Sequence, residues 1–280
     1  MFLLTREAGE EAKMMNELRR INRQSGFTLI ELVMVVVLLG VLGVMGAEFI
    51  SQGFRGFRAT DNRVEMYEEG EIALTRMERE IHDAVPNAFD SATLAGDPTD
   101  LRFGMFDEKA ALATNAFGRY QETPPTTTLT DPTGAMAVNT ILSIYNRNWS
   151  DFTNAAAAQR RLYTVTGVAG TSMTISKNLT TTTSSPGNRY YPVDRAVRYY
   201  LSGTSLMRAQ LPVTPETVNF ATLATLTGQP LARGVLPGSL QFSYAPAALT
   251  RNAVVTVTFS LVRDGEQIDF HKEIHARNVP

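Results

Sequence analysis

Residues 27–47 read FTLIELVMVVVLLGVLGVMGA, 21 residues with a single charge, Glu31. At 1.5 Å per residue a helix of this length reaches roughly 31 Å, the hydrocarbon thickness of a bilayer. The segment can cross a membrane as one helix, and any fold that contains it has to supply lipid or apolar partners along it. Arg19, Arg20 and Arg23 stand just upstream, within the range over which basic residues keep a flank in the cytoplasm, so the bulk of the chain is expected on the opposite side. An ordinary secretory signal, cut after small residues near Val44, Gly46 and Ala47, is the simpler alternative. Against it, the run is longer than a usual signal core and carries a carboxylate near its start. A charge in lipid costs about 2.5–3.5 kcal/mol at a helix centre on insertion scales, and less toward the end. Glu31 therefore calls for a counter-ion, or else escapes by reaching the headgroups or taking up a proton.

Composition narrows the chemistry. With 26 Lys and Arg against 28 Asp and Glu, net −2 and no basic block, the footprint of a nucleic-acid binder is missing. The absence of cysteine removes disulfides, iron–sulfur clusters, thiol nucleophiles and cysteine-ligated zinc. No nucleophile elbow, phosphate loop or dinucleotide fingerprint is present. The best constellation is His271, Glu273 and His275: on a strand these alternate residues share a face and could converge on a metal. Their apolar neighbours pointing inward would equally leave that face to solvent. No catalytic residue, metal or cofactor is expected, and the chain reads as a non-enzyme.

The run Ser25-Gly26-Phe27-Thr28-Leu29-Ile30-Glu31-Leu32-Val33, after a basic flank and before an apolar helix, resembles the class III signal of type IV prepilins and type II secretion pseudopilins. That resemblance implies cleavage after Gly26 by a membrane-embedded prepilin peptidase, and N-methylation of the new amine of Phe27 by the same peptidase/methyltransferase. It also implies assembly with other major and minor pilins through an inner-membrane platform. Physically, Glu31 lies four residues along the helix from Phe27. In a staggered bundle the carboxylate of one subunit can approach the amine of its neighbour, and two charges that are each costly in lipid become a pair that sets the axial register. Gly40, Gly43 and Gly46 recur every three residues, and Gly43 with Ala47 makes a small-xxx-small pair for close helix approach. The same glycines could equally loosen the helix. The first thirteen residues are not notably basic, which makes Met14 and Met15 alternatives to Met1 as the initiator.

Beyond residue 47, Val64, Tyr67, Leu74, Met77, Ile81 and Ala84 fall near one helical face amid charges, with Pro86 expected to end the helix and Asn87 to open a loop. The spine at 27–85 would then run about 88 Å if unbroken, with Gly53 and Gly56 as possible bends. Residues 87–280 are rich in strand and turn signals. Short strands are expected at 101–106, 140–145, 162–168 and 173–177. A hairpin should turn near Ser202-Gly203-Thr204, and another at Asp264-Gly265 between Val255, Val257, Phe259 and Leu261 and a return strand bearing Ile268, Phe270, Ile274 and Ala276. The tracts around residues 123–128 and 180–188 read as exposed loops.

The expected organisation is a leader at 1–26, a transmembrane helix at 27–47, an amphipathic extension at 48–86 and a β-rich domain at 87–280. The fold class is α+β and pilin-like: a long N-terminal membrane-spanning α-helix packed against a C-terminal antiparallel β-sheet domain. Insertion is expected as a single pass in the inner membrane with the domain in the periplasm, then on the pilus and cell surface. The large cysteine-free domain departs from small major pilins and fits a minor pilin or a J-type pseudopilin. Gln52-Gly53-Phe54-Arg55-Gly56-Phe57, Ile81-His82-Asp83-Ala84-Val85-Pro86-Asn87 and His275-Ala276-Arg277-Asn278-Val279-Pro280 are similar to the minor subunits of mannose-sensitive haemagglutinin pili, which are implied to prime or cap the filament. A type II secretion pseudopilin, a surface adhesin and a membrane-anchored hydrolase using His271 or His275 are the alternatives.

Overall fold

The computed structural model describes residues 26–107, 117–214, 216–247 and 252–276. The leader apart from Gly26, including Arg19, Arg20, Arg23, Met14 and Met15, lies outside the described residues, as do Arg277, Asn278, Val279 and Pro280. Helix α1 (Leu29–His82) has 54 residues and passes through Gly53 and Gly56 without interruption. The chain divides into two units, Met1–Arg58 and Ala59–Pro280. In the first, every described residue is exposed.

In the second unit α1 is followed by β1 (Ala84–Phe89), α2 (Ser91–Gly96), β2 (Leu101–Phe106), β3 (Gly118–Arg119), β4 (Thr126–Thr130), β5 (Ile141–Ser143) and α3 (Trp149–Thr153). Then come β6 (Leu162–Ala169), β7 (Ser172–Leu179), β8 (Arg189–Ser202), β9 (Ser205–Pro212), β10 (Gln229–Arg233), β11 (Gln241–Ala245), β12 (Ala253–Arg263) and β13 (Glu266–Ala276). Ten strands form one antiparallel sheet along β1-β2-β8-β5-β6-β7-β4, with β3 and β9 also on β8 and β10 on β9; β11-β12-β13 form a second sheet. The long helix followed by antiparallel sheets is a pilin-like α+β architecture.

Both expected hairpins are present. Ser202 pairs with Ser205 across Gly203-Thr204, and Arg263 with Glu266 across Asp264-Gly265. Two expectations need correction. The helix stops at His82, and Val85, Pro86 and Asn87 lie in β1. Among the described residues β1 pairs only with β2, so an edge position accommodates the missing proline N–H, while buried Val85 and Ala88 reward the extended conformation. The threonine tract at 123–128 is not wholly loop, because β4 begins at Thr126 and pairs with β7. β-branched threonines suit a pleated edge, and Leu129 inserts from it into the core.

The helical stripe also differs from expectation. Buried on α1 are Met66, Gly70, Ala73, Leu74, Met77, Glu80 and Ile81, whereas Val64 and Tyr67 are exposed. The reason is Gly70. A Cβ there would collide with the Phe270 ring, so the helix turns its bare backbone to β13 and leaves Tyr67 at the margin, its ring 6.5 Å from that of Phe270. The resulting core joins Leu74, Met77 and Ile81 to Phe103, Val197 and Leu206 of the large sheet and to Val255, Val257 and Phe259 of the small one.

One charge is buried in that seam. Glu80 receives Arg208 Nε at 2.8 and 3.0 Å and the Tyr199 hydroxyl at 2.5 Å, with Arg76 Nε at 3.3 Å. Burial alone would push this carboxyl up; hydrogen bonds from Arg208 and Tyr199 and the charges of Arg208 and Arg76 outweigh it and hold the group below the usual glutamate value. Partly exposed pairs flank the seat: Arg263 with Glu65 at 2.6 Å and Glu69 at 3.0 Å, and Lys272 with Glu78 at 2.7 Å.

Farther from the helix, the lobe of β4 to β7 has its own core, including Tyr120, Leu142, Tyr163, Ile175 and Tyr190. Here Asp131 is fully buried. It accepts from the Tyr190 hydroxyl at 2.6 Å, the Arg119 N–H at 3.0 Å, and the Thr133 N–H and hydroxyl at 2.9 and 2.7 Å, all neutral donors.

Because Glu80 has a lowered folded value, its stabilisation is fully present above the unfolded value of about 4.3, fades as pH falls through it, and is lost below the folded value. Glu80→Gln should therefore destabilise the protein at pH 7 by about 3–5 kcal/mol, as expected when one partner of a buried pair loses its charge. The difference from the native chain should shrink below about pH 4. Urea unfolding of the full chain in detergent micelles across this range measures both; a pH-independent difference would show that Glu80 does not act through its charge.

Candidate functional site: the exposed helix start

Gly26, Phe27 and Thr28 precede α1, and Thr28 stands at its cap. Its hydroxyl accepts the Glu31 N–H at 3.3 Å, and its carbonyl accepts the Leu32 N–H at 3.1 Å. Thr28-x-x-Glu31 is thus the start of a capping box, with the threonine half of the reciprocal pair formed. Glu31 falls in the first turn, where free backbone N–H groups and the positive end of the helix dipole favour a negative side chain. The carboxylate that is costly in an apolar run therefore sits at the one end of the helix that offsets part of that cost.

The side chains that follow point into open surroundings. Phe27, Leu29, Ile30, Val44 and Phe49 are each more than 60% exposed, and a Cβ added at Gly40, Gly43 or Gly46 would meet nothing within 4 Å. Among the described residues, α1 is the one helix long and apolar enough to cross a membrane. An apolar surface of this extent, unburied within its own chain, has lipid or other helices as its natural surroundings.

The second constellation is placed differently. His271, Glu273 and His275 share the outer face of β13 and are exposed, opposite Thr258, Thr256 and Val254 of β12. Among the described residues no three His, Cys, Asp or Glu side chains come together as a metal site. His82 lies half exposed with Nδ1 at 3.2 Å from Asp83. Sequence reasoning missed Glu80, which reads as one more charge beside Glu78 and Arg79. Its signal was positional: it falls three residues beyond Met77 and seven beyond Ala73, on the buried stripe.

Residues 21–47, which contain this helix start, match the family described as the prokaryotic N-terminal methylation motif. The match supports a type IV pilin or pseudopilin. It implies processing by a prepilin peptidase and assembly with other pilins, and it suggests a structural rather than an enzymatic protein. With it, α1 is consistent with a single-pass membrane anchor. No curated protein and no solved structure matches the chain.

Thr28→Ala removes the cap acceptor while leaving Glu31 in place. The first turn should loosen by about 1 kcal/mol, seen as faster amide exchange at Glu31 for the full chain in detergent micelles. Unchanged exchange there would mean that the cap does not hold the turn.

Proposed function

We propose that the chain is a minor type IV pilin of the mannose-sensitive haemagglutinin kind, cleaved after Gly26, N-methylated on Phe27, and recruited through its apolar helix into a pilus that serves adhesion or motility. The observation that carries this reading is a matched methylation motif at a capped helix start whose following apolar surface is left exposed by the described residues of the chain. Low copy number and a role in priming or capping assembly are supported by the large cysteine-free β unit. In the mature filament Glu31 of one subunit meets the methylated amine of its neighbour. Each ion is costly in lipid, and together they favour one axial stagger. The same large unit also fits a J-type pseudopilin of type II secretion; in-cell crosslinks from the helix to pilus or to secretion components separate the two.

Terminal sequencing of the mature protein by mass spectrometry should find N-methyl-Phe27; a chain beginning at any other residue overturns the reading. Glu31→Ala should reach the membrane at normal levels yet enter filaments about tenfold less, the effect of losing roughly 1.4 kcal/mol of registering interaction. Normal incorporation of that variant would remove the charge-pair mechanism while leaving the processing intact.

A further inference from the structure

β13 is the terminal strand of the small sheet, and among the described residues no strand pairs with its outer edge. Its register with β12 is unbroken from Arg263↔Glu266 to Ala253↔Ala276, closed by a two-residue turn with positive φ at both Asp264 (50°) and Gly265 (87°). In such a hairpin the residues flanking the turn exchange both ladder hydrogen bonds, and bonded and non-bonded pairs alternate from there. The even-numbered residues of β13 thus bond to β12. The N–H and C=O groups of Gln267, Asp269, His271, Glu273 and His275 point out of the sheet.

A long, proline-free edge with no bulge is a template for another strand. Its two inward charges are both engaged by α1, Glu266 by Arg63 at 2.5 Å and Lys272 by Glu78 at 2.7 Å. Beside the second half of the edge is a groove of about 390 Å³ between Thr75, Glu78 and His82 of α1 and Ile274 and His275 of β13. The outer face of the sheet is acidic: β11 and β12 present only Gln, Ser, Ala, Thr and Val there, whereas β13 adds Asp269 and Glu273. These two carboxylates lie four residues apart, roughly 13 Å along the strand.

We propose that β13 is a strand-addition site for an extended segment of another protein. That segment carries Lys or Arg at positions i and i+4 on one face and an apolar side chain beside the second cation on the other. Main-chain hydrogen bonds to the five outward residues supply the general attraction, and alternate side chains supply the selectivity. The two cations meet Asp269 and Glu273 as cross-strand neighbours. The apolar residue, pointing to the helix side, enters the groove over Ile274. The site is independent of processing at Phe27, so its failure leaves the filament reading untouched, and the reverse.

The test uses the full chain in detergent micelles and a short synthetic peptide alternating valine and lysine. Binding should slow amide exchange at Gln267, Asp269, His271, Glu273 and His275, and not at the even-numbered residues already bonded to β12. His271→Pro removes one outward donor without touching the β12 ladder and should weaken binding about tenfold. Asp269→Lys with Glu273→Lys should reverse the preference in favour of a valine–glutamate peptide. Should the proline variant misfold, a peptide N-methylated on alternate amides tests the same bonds on the native protein and should not bind. The proposal is overturned if the methylated peptide binds as well as the plain one. It is equally overturned if the outward amides exchange slowly before any peptide is added, or if the edge takes up only a second copy of the chain.

Discussion

The seat of the long helix depends on one ionised carboxylate taken out of water. Glu80 is stable in its charged form only while Arg208 and Tyr199 of the large sheet stand against it, and a buried ion deprived of its partner is far more destabilising than the same pair is stabilising. The geometry is therefore close to all-or-none. The apolar contacts of Leu74, Met77 and Ile81 would tolerate small slides along the helix; Glu80 does not, and neither does Gly70, where the Phe270 ring occupies the space of a side chain. One polar and one steric contact on the same helix face set its rotation and its height over the two sheets.

The two halves of α1 meet opposite demands with one backbone ladder. Over residues 29–47 the helix presents apolar side chains on every side and one acid, Glu31, at its N-terminal turn. In the second unit it presents a narrow apolar stripe and surrounds it with charges, several of them paired to the small sheet. A helix apolar all round belongs in lipid or among other helices, and one apolar on a single face belongs on a protein core. The change between these patterns lies near Arg55 and Arg58.

Much of the fold could be read from the chain. β2, β6 to β9, β12 and β13 carry either period-two alternation or a glycine-marked turn, and both hairpins follow from such local signals. Strands β3, β4, β10 and β11 are short, threonine-rich or interrupted by proline, and exist because longer neighbours offer them hydrogen bonds; no local pattern announces that. The helix start is legible for the opposite reason, since the matched motif and the Thr28–Glu31 contact are local to a few neighbouring residues. The place of Glu80 on the stripe left a faint positional signal, but its pairing was illegible because its partners lie 119 and 128 residues away. The orientation of the stripe was illegible because a glycine, which contributes nothing to hydrophobic periodicity, is its closest contact.

Asp131 has a consequence of a different kind. It is buried, and although burial would raise its carboxyl, the hydroxyls and amides that it accepts from hold it below the usual aspartate value; among the described partners of its carboxylate there is no cation, so these contacts offer dissolved electrolyte no ion pair to weaken. The clamps around the helix seat, Arg263 with Glu65 and Glu69 and Lys272 with Glu78, are partly exposed, so their attraction weakens as salt shortens the screening length from about 10 Å at 0.1 M to about 3 Å at 1 M, the size of the pairs themselves. Concentrated salt should therefore weaken the margins of the helix seat before it touches the contacts of Asp131.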